Sequence, residues 1–125
     1  MRLLVLFVVL VLAGCAKQVA PVVSCAALTQ GCALDQGKLF VKTDRAPAPL
    51  KPFSLTVLAP SAQAVYAEVQ MQGMEMGLNR YRLIPQANGE WRATITLPVC
   101  VTGRRDWLML IEVDDARRTL AFQTE

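Results

Sequence analysis

Two methionines separated by one residue, Met74 and Met76, lie between Gly73 and Gly77. In an extended segment, side chains two apart point to the same side. Thioether sulfur is a soft ligand that prefers Cu(I). Cys25, Cys32 and Cys100 supply the thiols of the chain's body. Met74, Met76 and Cys100 are therefore a candidate Cu(I) site, built without imidazole. The competing reading is that methionines fill gaps between packed layers, as Met71 and Met109 are placed to do on the inward faces of their strands. Of the three possible disulfides, 25–32, 25–100 and 32–100, the local pair has the lowest loop-closure cost. Choosing it leaves Cys100 near the methionine loop. The spacing is not Cys-x-x-Cys, which argues against a redox enzyme.

Histidine is absent from all 125 residues. That removes the usual general base near neutral pH and the commonest metal ligand. It also excludes Ser-His-Asp and Cys-His catalysis. Asp114-Asp115 suits a turn better than acid–base work. Gly103-Arg104-Arg105-Asp106-Trp107 offers a candidate binding rim, since Arg and Trp are frequent interface anchors, although Trp107 fits a core position. There is no glycine-rich phosphate loop, zinc spacing or carboxylate cluster. The expected class is non-enzymatic.

The first fifteen residues say where these groups are expected to work. Met1-Arg2 is a short basic start, the stretch 3–12 is wholly apolar, and Leu12-Ala13-Gly14-Cys15 closes it. The apolar run is too short to span a bilayer, which needs about 20 residues. The pattern resembles a bacterial lipoprotein signal ending in a lipobox. The resemblance implies cleavage before Cys15, diacylglycerol on its thiol, and acylation (palmitate) of the new amino group. It also implies a periplasm-facing domain on the cell envelope. Ala16, where an aspartate would direct retention in the inner membrane, points to the outer membrane. Cleavage leaves 111 residues carrying ten acidic and twelve basic side chains. A net charge of about +2 without a dense basic patch argues against nucleic acid as a partner. The expected partners are the membrane, through the lipid, and an envelope protein.

The elements that must hold these residues read as strands. Residues 15–37 are expected to be the lipidated Cys15 and a tether or N-terminal segment, and 38–125 the folded domain. Within it, 38–42, 53–59, 65–71, 80–84, 91–97, 107–113 and 119–123 show strand patterning. The alternation is clearest at Val65, Ala67, Val69 and Met71, and at Trp91, Ala93, Ile95 and Leu97. Asn88-Gly89 is a type I′ hairpin signal. About seven short strands at regular spacing predict an all-β, immunoglobulin-like β-sandwich. Antiparallel succession would gather the loops 44–52, 72–78 and 98–105 at one end.

The run Met74-Glu75-Met76-Gly77, then Gly89-Glu90-Trp91-Arg92-Ala93, then Gly103 with Trp107-Leu108-Met109-Leu110, resembles FixH-like and YtkA-like domains. The likeness covers about residues 53–113. It implies a small extracytoplasmic β-sandwich linked to copper and to assembly of cytochrome oxidases, with Met74 and Met76 at the family's methionine positions. Two functions are thus expected of the loop end: an envelope interaction or accessory module, or a Cu(I) carrier using Met74, Met76 and Cys100.

Overall fold

A computed structural model of the chain describes residues 21–71, 73, 79–99 and 103–124. Ten strands form two five-stranded sheets. They are β1 (Val23–Ser24), β2 (Cys32–Leu34), β3 (Leu39–Thr43), β4 (Phe53–Leu58), β5 (Val65–Met71), β6 (Arg80–Arg82), β7 (Ile84–Pro85), β8 (Glu90–Ile95), β9 (Asp106–Val113) and β10 (Ala116–Gln123). One sheet has the order β1-β10-β9-β5-β6, the other β2-β3-β4-β8-β7. Placing β3-β4-β8-β7 as strands A-B-E-D and β10-β9-β5-β6 as G-F-C-C′ reproduces the immunoglobulin-like arrangement. Neighbours pair antiparallel, except β1, which runs parallel to β10 with Val23 opposite Leu120.

The two-residue period decides which side chains are inside. Phe53, Leu55 and Val57 of β4, Val65, Ala67, Val69 and Met71 of β5, and Trp107, Met109 and Ile111 of β9 are all buried. Each such large apolar side chain contributes up to about 1.5–3 kcal/mol when fully removed from water. Met71 and Met109 are core methionines, as their strand positions predict. Trp107 stacks on Phe122 with ring centroids 6.4 Å apart.

Two differences from the expected layout matter. The tether expected over 15–37 gives way at Val23. Strands β1 and β2 enter opposite sheets, and a turn at Asp35–Gly37 leads into β3. Strands of two and three residues are too short for alternation to mark them. The Cys25–Cys32 disulfide ties the chain as it crosses from one sheet to the other. The single strand expected over 80–84 is divided instead. Leu83, buried, donates its N–H to the Val65 carbonyl at 2.9 Å, and the chain passes from β6 in one sheet to β7 in the other. Tyr81 completes this closure. Its hydroxyl donates to the Thr96 carbonyl at 3.1 Å and accepts from the Thr96 N–H at 3.4 Å, doing for β8 what a longer β7 would do.

The hairpin turns follow their local chemistry. Asn88 and Gly89 have φ of 60° and 74°, as a type I′ turn requires. At Gly89 a Cβ would come within 2.7 Å of the Pro60 Cα, so sterics and backbone both demand glycine.

Candidate functional site

The described parts of four connections lie at the end of the sandwich toward which β1, β3, β5, β8 and β10 all run. The β3–β4 connection is fastened first. The Leu50 N–H donates to the Leu97 carbonyl at 3.0 Å, and Pro49 bridges Leu97 in parallel register. The Asp44 carboxylate accepts from the Ser54 N–H at 2.7 Å, and the Asp44 N–H donates to the Ser54 carbonyl at 3.1 Å. The β1–β2 connection crosses the same end. Its Leu28 is buried, and the Leu28 carbonyl accepts from the Thr43 N–H at 3.0 Å. An open crevice of about 210 Å³ separates it from Ala46 and Pro47 of the β3–β4 connection. On the other sheet, Arg104 Nη1 lies 3.3 Å from where a Cβ on Gly73 would stand. The flanks of the segments 72–78 and 98–105 are therefore side by side. The Arg105 carbonyl accepts from the Thr124 N–H at 3.1 Å, fixing that flank to the end of β10. Of the clustering of 44–52, 72–78 and 98–105 expected from antiparallel succession, the described residues bring 44–52, Gly73, 98–99 and 103–105 to this end, and the disulfide-braced segment 26–31 joins them.

Met74, Met76 and Cys100 lie outside the described residues, as does Cys15. Among the described residues no group of three or more Cys, Asp or Glu side chains is placed to hold a metal ion. Cys25 is paired with Cys32, so neither thiol is free to join Cys100.

The described surface of this end carries exposed apolar and basic side chains, with Asp44 as an exposed acid held 3.6 Å from Arg45. Leu50 is 63% exposed and Val99 56%. Lys51, Arg104 and Arg105 of the same connections are exposed as well. Leu50 has a φ of 61°. It is the third residue of the turn Ala48–Lys51, which the Lys51 N–H closes on the Ala48 carbonyl at 3.3 Å. A positive φ at that position normally selects Gly or Asn. Sequence reasoning missed Leu50. Pro49 announces a turn, but nothing in Ala-Pro-Leu-Lys announces that the leucine adopts the left-handed region.

The principal charge cluster lies elsewhere. On the outer face of the β1-β10-β9-β5-β6 sheet, Arg80 donates to Glu68 at 3.0 Å and Glu112 at 3.1 Å, and Arg117 lies 3.4 Å from Glu112. The Arg80 guanidinium also sits 4.1 Å from the Tyr66 ring centroid. The hydrogen bond to Arg80, opposed by partial desolvation, holds the Glu112 carboxyl below its usual value, and the same bond raises Arg80. Each charge has its complement, so the cluster laces four strands together rather than presenting a ligand site.

Asp114 and Asp115 form the β9–β10 turn with φ of 47° and 69°. Asp114 Oδ1 accepts from the Gln63 and Ala64 N–H groups, both at 2.9 Å. The carboxylate is a clamp between two turns, in keeping with the turn reading of this pair. Trp107, placed by its sequence position at a core site, is fully buried, and its Nε1 has no hydrogen-bond partner among the described residues.

No protein-family model matches the chain, and searches of curated proteins and of solved structures returned no match.

Proposed function

We propose that this chain is a lipid-anchored, periplasm-facing accessory domain that acts by binding rather than catalysis, with the loop end as its working surface. The observation that carries the reading is that the described parts of four connections lie at one end, where Leu50, Val99, Lys51, Arg104 and Arg105 are all exposed. Loops held on a rigid sandwich are the usual carriers of binding function. The anchor is read from Leu12-Ala13-Gly14-Cys15, with Ala16 directing the protein to the outer membrane. Growth with labelled palmitate tests it: the wild-type chain incorporates label and fractionates with membranes, and Cys15→Ala does neither. Absence of label on the wild-type chain overturns the anchor.

A Cu(I) carrier is the second reading. It is favoured by the pairing of Cys25 with Cys32, which leaves Cys100 as the thiol of the loop end, and by the closeness of Gly73 to Arg104, which sets the flanks of the two ligand-bearing segments together. The resemblance to FixH-like and YtkA-like domains points the same way. Titrating the detergent-solubilised chain with Cu(I) against a competing chelator under reducing conditions tests it. One bound equivalent that is lost in Met74→Ala/Met76→Ala supports the carrier. Binding that this double variant leaves unchanged removes it.

A further inference from the structure

Leu50 breaks two local rules at once. Its backbone occupies the left-handed region, which L-residues enter at a cost, and its side chain is 63% exposed. The hydrogen bond from its N–H to the carbonyl of Leu97, two residues before the likewise exposed Val99, holds it in that state. Strain of this kind persists only where the surroundings enforce it, and it concentrates at binding sites. Neither side chain contributes to the core. Both belong to connections at this end, whose exposed basic residues include Lys51, Arg104 and Arg105, while Asp44 is exposed there too, 3.6 Å from Arg45. Exposed apolar groups in connections that also carry cations match an anionic lipid interface, where the aliphatic parts enter the headgroup boundary and the cations meet phosphates.

We infer that the loop end rests on the anionic bilayer that carries the anchor, with Leu50 and Val99 entering the interface. This rests on the lipid-anchor reading above and names the partner of the same surface. The length of the tether allows it. Val23 pairs with Leu120, and Thr124, four residues further along, bonds Arg105 of the loop end. Four strand residues cover about 13 Å. The eight residue steps from Cys15 to Val23 reach up to about 28 Å, so the loop end can lie on the membrane while Cys15 remains in it. Tethering also makes the contact intramolecular, so two side chains and three cations suffice where a free protein would need far more. A second copy docking on the same end would bring Lys51, Arg104 and Arg105 against their own kind, which opposes self-association.

The test uses the full lipidated chain in vesicles of phosphatidylethanolamine and phosphatidylglycerol containing brominated acyl chains. Leu50→Trp and Val99→Trp are compared with Ile84→Trp, an exposed position on β7 outside the loop end. The parental chain supplies the background of Trp91 and Trp107. The expected result is quenching at positions 50 and 99 at least several-fold stronger than at 84. Quenching at 50 and 99 should weaken in phosphatidylcholine and in Lys51→Glu/Arg104→Glu/Arg105→Glu. Equal quenching at all three positions, or none in a chain that floats with the vesicles, overturns the docking and leaves the anchor standing. A blue shift without quenching, with doubled mass in detergent, assigns the surface to a second copy and also overturns it. A chain that does not float overturns the anchor. Quenching of an unlipidated Cys15→Ala chain at positions 50 and 99 would support the docking without it.

Discussion

At single positions, the residues most informative about function are those whose side chain disagrees with its surroundings. Leu50 is one: the left-handed backbone there costs roughly 1–2 kcal/mol for an L-residue, and no burial offsets it. Leu50→Gly is therefore expected to raise stability by up to about 1 kcal/mol, after allowing for the greater freedom of glycine in the unfolded chain, while weakening bilayer contact. Urea unfolding and bromolipid quenching (with Val99→Trp as reporter) read the two effects separately, and a loss of stability would show that Leu50 is structural. Asp114 is the contrasting case, because its strained φ is repaid by two backbone hydrogen bonds to the facing turn. Asp114→Ala should cost about 1–3 kcal/mol, since two N–H groups lose their acceptor. Asp114→Asn, which keeps one acceptor oxygen and tolerates positive φ, should cost clearly less in the same unfolding measurement.

Among the elements, the long alternating strands were legible and the short ones were not. β5 announces itself because seven residues of strict alternation have one physical solution, a half-buried strand, and the apolar run Trp107 to Ile111 marks β9. β1 and β2 carry no such pattern. They exist because β10 offers an edge at Leu120 and Ala121, β3 offers one at Leu39 to Val41, and a disulfide clips the crossing between them. Reducing that bridge, or replacing it in Cys25→Ser/Cys32→Ser, is expected to cost about 2–3 kcal/mol for so short a loop. Thermal unfolding with and without reductant measures it. An unchanged midpoint would mean that β1 and β2 hold their places without the clip. The division of 80–84 into β6 and β7 was equally hidden, since Leu83 looks like any inward residue until the second sheet is in place to receive it.

For the whole molecule, the outer face of the β1-β10-β9-β5-β6 sheet and the loop end have different characters. The face carrying Arg80, Glu68, Glu112 and Arg117 neutralises itself, whereas the loop end presents exposed apolar and basic groups. The acid response follows from the first. Glu112 is held below its usual value in the folded chain, chiefly by its hydrogen bond to Arg80. The folded state then favours the ionised form. Its contribution to stability is present above the ordinary carboxylate value and is lost as pH falls through the lowered one. Glu112→Gln should therefore flatten the acid limb of a plot of melting temperature against pH. A limb as steep as in the parent would move the acid sensitivity to other carboxylates.

By itself the sequence determined the all-β class, the two-layer body, the inward set of each long strand and the Asn88-Gly89 turn, because residue period and turn chemistry are local properties that need no partner to be read. The location of the loop end was half legible: antiparallel succession gathers three connections whatever their residues. The Cys25–Cys32 bridge, favoured by its short loop, is present, but only the tertiary structure decided that residues 23–37 belong to the sheets and that Leu50 stands strained and exposed against Leu97. Those outcomes depend on contacts between residues far apart in the chain, such as Leu50 with Leu97 and Val23 with Leu120, and no local pattern encodes which distant edge a short segment will meet.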